Sequence, residues 1–196
     1  MTKKIAKIVR ISTVPPVTVF GLLMLFYFGL NDVFANVWHL IITMIFLMVM
    51  PFLAYPLSYI IPKIKSKGRD GQRNLAFALS LFGYGLGLVY AFVFHISSNL
   101  FVVFLTYFLS VLILTVLNRG FKIKASGHAC SIAGPLVSVI YFFGIWSSIW
   151  CVIVFALVVW SSLTLKRHTL NELFFGSLSS VIAFFISIAV VLTSGI

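Results

Sequence analysis

Seven apolar runs, separated by short polar breaks, make up nearly the whole chain. They cover residues 11–31, 37–61, 74–96, 100–117, 126–144, 147–165 and 168–193. Each approaches the roughly 20 consecutive apolar residues that carry a helix across the bilayer core. Within the runs, apolar residues follow one another without the two-residue alternation of barrel strands, which argues against a transmembrane barrel. The pattern predicts an all-α, polytopic membrane helix bundle of about seven transmembrane helices. With no internal repeat and no low-complexity linker, residues 1–196 form one integral membrane domain. Pro15 and Pro16 predict irregular or interfacial opening turns for the first helix, and Pro135 predicts a kink in the fifth. Gly83, Gly85 and Gly87 suit close helix contact, within the chain or between chains.

Composition sharpens this picture. Hydrophobic residues make up 62% of the chain and charged ones only 9%, and the mean hydropathy is +1.17. Soluble domains carry about 25% charged residues, so most of this surface does not face water. Cys130 and Cys151 lie in apolar runs and read as small core residues. The basic N-terminus precedes an apolar run with no small-residue cleavage site, which reads as a retained first helix.

The charges carry the topology. All 14 lysines and arginines fall into four groups: Lys3, Lys4, Lys7 and Arg10; Lys63, Lys65, Lys67, Arg69 and Arg73; Arg119, Lys122 and Lys124; Lys166 and Arg167. With seven spans, all four groups share one side, which the positive-inside rule makes cytoplasmic. The opposite breaks hold a single charge, Asp32. The expected arrangement is a cell-membrane protein with its N-terminus inside and its C-terminus outside. The net charge of +11 is then a topology signal and an attraction to anionic headgroups, or the wall of a phosphate site. Nucleic-acid binding is excluded, because the cations sit on short loops flush with the membrane.

Two places on the basic side could carry chemistry. His128 stands in Lys124-Ala125-Ser126-Gly127-His128 at the start of the fifth run. His168 stands in Lys166-Arg167-His168-Thr169-Leu170-Asn171-Glu172 at the start of the seventh. Glu172 is the only acid inside an apolar run, where an ionisable group costs about 2.5–3.5 kcal/mol on insertion scales and marks a role by default. Four residues after His168, it shares that residue's helix face. A carboxylate there fixes the imidazole tautomer and frees the other nitrogen for attack. Alternatively Glu172 is a helix-start acid, favoured by the dipole and paired with Arg167 or Lys166. Ser126 is a good N-cap, and Lys124 with Gly127 suits an anion seat. His39 and His95, near the other face, read as packing or interfacial residues.

Taken together, these residues resemble the type-2 phosphatidic acid phosphatase superfamily of integral membrane lipid phosphatases. Ser126-Gly127-His128 resembles its P-S-G-H element, with Ala125 for proline. His168-Thr169 with Glu172, Leu173 and Gly176 resembles its S-R-x5-H-x3-D element, with glutamate for aspartate. Pro15-Pro16, Arg69, Asp70 and Arg73 also resemble a prokaryotic branch. Two departures stand out: no strict K-x6-R-P occurs, and Ser162 occupies the place of the family's phosphate-gripping arginine. The resemblance implies a six-helix phosphatase-like core plus one helix. It implies His168 as nucleophile, Glu172 as its orienting group and His128 as general acid and base. Lys124, Ser126, Gly127, Arg119, Arg167 and Lys166 would bind phosphate, with Arg69, Asp70 and Arg73 as accessory residues. No metal or other cofactor is implied. The partner would be a lipid monophosphate or diphosphate, of isoprenoid diphosphate or phosphatidate type, reached from the surrounding membrane lipids. The rival expectations are an inactive member that binds or transports a phosphorylated lipid, and a structural membrane subunit.

Overall fold

The computed structural model describes residues 1–195, and among these every regular element is helical. In chain order they are α1 (Thr2–Ser12), α2 (Pro15–Gly29), α3 (Val37–Ile60), the short α4 (Pro62–Lys65), α5 (Gly68–Val93), α6 (Ser98–Gly120), α7 (Gly127–Phe143), α8 (Ile145–Thr164) and α9 (Leu170–Ser194). Five of them, α3, α5, α6, α8 and α9, are long and apolar enough to cross a membrane. Counting the bent pair α1–α2 as one span makes six. The expected seventh, α7, has only 17 residues, about 25 Å of helix against a core of about 30 Å. Large apolar side chains line the outside of the bundle, Phe28 and Trp146 each at 81% exposure. That is the surface of a helical membrane protein.

The first apolar run is not one straight helix. Val14, preceding Pro15, is extended (φ −64°, ψ 151°), as the residue before proline prefers. The break turns α1 by 57° against α2. The basic segment ahead of the run is therefore helical, and α1 is an amphipathic arm laid across α8. Ser161 Oγ donates to Ala6 O at 2.7 Å, with both residues fully buried.

α6 is the hub. Buried residues fill 56% of its most apolar window, against 22–33% for the other four spans, and it packs on both α5 and α9. Leu22, Leu23 and Phe26 of α2, Leu47 of α3 and Leu100, Val103 and Phe104 of α6 form the core beside it. Gly83 and Gly87 serve contacts within the chain. A methyl group on Gly83 would meet Met50 Cβ at 2.8 Å, and one on Gly87 would enter the Phe104 ring. Near Gly83, α3 widens by a π turn at Ile45–Val49, where Met50 N–H reaches Ile45 O. This loosened turn precedes Pro51, which has no N–H to give the helix. Pro135 likewise leaves the carbonyl of Ser131 without its helical donor, and Thr18 of α2 donates to it at 3.3 Å. At the end of the bundle away from the basic groups, His39 Nδ1 pairs with the Tyr90 hydroxyl at 3.1 Å.

Candidate active site

The site is assembled around the link between α6 and α7. Asn118 organises that link: its amide nitrogen donates to Leu114 O at 2.8 Å and to Ala125 O at 3.3 Å, and its oxygen accepts from Ala125 N at 3.3 Å. The chain then runs against the first turns of α9, where Ser126 N–H donates to Glu172 O at 2.8 Å. The approach is close enough that a Cβ at position 176 would strike the Ser126 carbonyl, which explains Gly176. Ser126 Oγ caps α7 by accepting from Ala129 N at 3.2 Å.

On α9, Thr169 caps the helix start by accepting from Glu172 N. Glu172 is 8% exposed, and its carboxylate bridges two partners. His168 Nδ1 lies 2.7 Å from Oε2, and Lys124 Nζ lies 2.8 Å from Oε1. An ion-paired carboxylate only accepts, so His168 Nδ1 carries the proton and Nε2 keeps its lone pair. Burial holds the His168 imidazole below its ordinary value of 6.5. The Arg10 and Lys124 charges push the same way, and Glu172 opposes them. The ring is neutral at pH 7 with a free nitrogen, the state a nucleophile needs. Glu172 lies in the first turn of α9, as the helix-start reading has it, and also bonds the His168 ring, as the orienting reading has it. Its cation is Lys124, from another loop, rather than the neighbouring Arg167 or Lys166.

A cavity of about 760 Å³ opens beside this arrangement. His168 and His128 both line it, as do Lys124 and Gly127. Every basic group of the sequence sends a member: Arg10 from the first, Arg69 and Arg73 from the second, Lys124 from the third and Arg167 from the fourth. Among the described residues, Asp70 is the only carboxylate on its wall, so the field inside favours an anion. His128 Nε2 is held loosely, 3.4 Å from Thr13 Oγ1. Thr13 gives its own hydrogen to Val9 O at 2.8 Å. Inward, the cavity continues past Phe77, Val111 and Leu114 to Tyr107, seven residues, or about 10 Å, deeper along α6. Its mouth is cationic and its interior largely apolar. No family model, no curated protein and no solved structure matches the chain.

Three residues expected to bind phosphate face elsewhere. The Ser126 hydroxyl is buried in its cap. Lys166 adopts a left-handed conformation (φ 50°) that ends α8 and stands outside the cavity, while the next residue, Arg167, lines it. Arg119 sits in the wide π turn Val116–Gly120 that closes α6, and points into a separate recess.

The residue that sequence reasoning missed is Arg10. It had a full explanation as a topology signal. The signal that could have found it is Pro15, whose break swings α1 inward. Arg10 follows Ala6 by one helical turn, on the face that docks on Ser161, and its Nη1 is buried without a hydrogen-bond partner. It lies close enough to Arg69 and Arg167 for their like charges to interact. Ser162, where an arginine was expected, is fully buried.

Proposed function

We propose that the protein is a membrane lipid phosphatase that hydrolyses a lipid monophosphate or diphosphate through a phosphohistidine. The observation carrying this reading is the chain Lys124–Glu172–His168 on the wall of a cationic cavity that His128 also lines. Packing alone gives no reason to hold a neutral imidazole with its free nitrogen among five cations. The resemblance to type-2 phosphatidic acid phosphatases supports the same chemistry.

In the proposed reaction, His168 Nε2 attacks phosphorus and the bond to the leaving oxygen breaks. His128, protonated once the phosphate dianion lies beside it, gives that oxygen its proton and releases the lipid alcohol, or the lipid monophosphate from a diphosphate. The neutral His128 then takes a proton from water, whose oxygen attacks phosphorus. The P–N bond breaks, its electron pair returns to Nε2, and inorganic phosphate leaves. Arg10, Arg69, Arg167 and the Gly127 amide stabilise the charge on the transferring oxygens. Arg10 replaces the arginine absent at position 162. A guanidinium suits the task because its planar fork grips two phosphate oxygens. The apolar inner end of the cavity receives the lipid chain.

Topology completes the proposal. Seven spans, with α7 as a short one, put the four basic groups on the cytoplasmic side of the cell membrane. Their meeting at one cavity supports a common side. The substrate then comes from the inner leaflet. The test is purified protein in detergent with a panel of lipid phosphates. Phosphate release that disappears in His168→Ala and His128→Ala is expected. Undiminished release in His168→Ala would sink the mechanism. Tight binding of a lipid phosphate without turnover by the native chain would instead identify a binding or transport protein.

A further inference from the structure

A second cationic recess, of about 450 Å³, lies beside the first cavity. Arg73, Arg119, Lys122 and Lys124 line it, with Asp70 as its only acid among the described residues. Its arginines are held in a reciprocal brace between α5 and the end of α6. Arg73 Nη2 donates to Asn118 Oδ1 at 2.6 Å, and Arg119 Nη2 donates to Asn74 Oδ1 at 3.3 Å. Arg73 is steadied further over the Phe77 ring, 5.6 Å from its centroid. Among the described residues, the ion pairs all involve Glu172, so Asp70 neutralises neither guanidinium.

The choice of partners matters. A guanidinium has five donors, and a neutral amide oxygen takes one without cancelling the charge. Both arginines are thus oriented and still cationic, with donors left over. The frame is rigid as well, since Asn118 also fastens Leu114 and Ala125. The π turn that ends α6 sets Arg119 in place, and Lys122 follows in a left-handed conformation (φ 56°). Cations kept only for topology need none of this bracing. Basic pockets between transmembrane helices are the usual seats of anionic headgroups.

We propose that this recess is a second anion seat, which takes a tetrahedral phosphate group independently of the one at His168. The group comes from a neighbouring anionic lipid headgroup or from free phosphate. Arg73, Lys124 and Asp70 border both sites, and the two cations lie between the two occupants.

Equilibrium binding of radiolabelled inorganic phosphate to the full chain in phosphatidylcholine nanodiscs tests this. Two equivalents per chain are expected, falling to one in the Arg119→Gln, Lys122→Gln double variant, whose positions border only the second recess. His168→Ala should keep both equivalents while losing any hydrolysis. The same number of equivalents in the double variant as in the native chain overturns the seat; a single native equivalent that disappears in the double variant keeps the seat and removes the site at His168. Undiminished hydrolysis in His168→Ala overturns the phosphatase reading and leaves the seat standing. Nanodiscs containing phosphatidylglycerol distinguish the sources: loss of the second equivalent there identifies a lipid headgroup, and its retention identifies free phosphate. Arg119 and Lys122 are exposed, so the variant should fold like the native chain, and an unchanged unfolding midpoint and aggregation state check this.

Discussion

Replacing Arg10 by methionine should move stability and activity in opposite directions. Arg10 lies near the end of α1, and its Nη1 is buried with no partner. A buried donor left unpaired costs about 1–3 kcal/mol, and Arg69 and Arg167 nearby add like-charge repulsion. Methionine keeps an unbranched stem and removes both penalties. Arg10→Met should therefore raise the unfolding midpoint of the substrate-free protein in detergent. Catalysis should fall. A hydrogen bond from a charged donor is worth about 1.5–3 kcal/mol, and each 1.36 kcal/mol is tenfold in rate. One bond to the phosphoryl group then accounts for about 10- to 150-fold in kcat/KM. A fork gripping two oxygens accounts for about 10²- to 10⁴-fold. Arg10→Lys should recover part of the loss, because it restores the charge without the fork. Added phosphate should raise the midpoint of the native protein more than that of Arg10→Met. A variant that loses stability while keeping its activity would refute the reasoning, because Arg10 would then be a structural residue.

Three further outcomes follow from the same geometry. His168 is held below 6.5, so the acid limb of kcat/KM should lie below that ordinary value, while the need for a protonated His128 sets a separate alkaline limb. Lys124→Gln removes a cause of the lowering and should shift the acid limb to higher pH, while Glu172→Gln removes the opposing group and should shift it lower; pH–rate profiles that move together would contradict the arrangement. Gly176→Ala drives a methyl group into the Ser126 backbone, which its own hydrogen bonds hold in place, and overpacking of this kind costs about 1–3 kcal/mol. Thermal unfolding should show that loss, and a native-like midpoint would count against the close approach. Tyr107→Phe removes a buried hydroxyl without a partner and should stabilise the lipid-free protein by about 1–3 kcal/mol; a lowered midpoint would show that the hydroxyl is hydrogen-bonded after all.

The bundle was legible because long apolar runs have few alternatives, and the breaks between them carry nearly every charge. The i,i+4 spacing of His168 and Glu172 likewise showed that they share a face. The spacing of residues did not reveal which way a short link turns. Arg119 and Lys124 are five residues apart, yet the π turn and the Asn118 hub send Arg119 to one recess and Lys124 to the border of both. Ser126 suited two roles equally, and its hydroxyl went to the cap. Arg10 stayed hidden because its position follows from a long-range contact, Ser161 with Ala6, between residues at opposite ends of the chain. The span count was least secure where prolines interrupt runs: Pro15 separates α1 from α2, and α7 is short for a bilayer.

The central claim, a phosphoryl group carried by His168, is tested most directly by trapping it. The His128→Ala variant retains the nucleophile but lacks the group that activates water. Mixed with a phosphate ester whose leaving group needs no proton, it should accumulate an intermediate. Mass spectrometry of the quenched protein should then locate an acid-labile, alkali-stable phosphoryl group on His168, absent when His168 is also replaced. Turnover by the native protein with no phosphoryl group on His168 in the variant, or with one on another residue, would contradict the account.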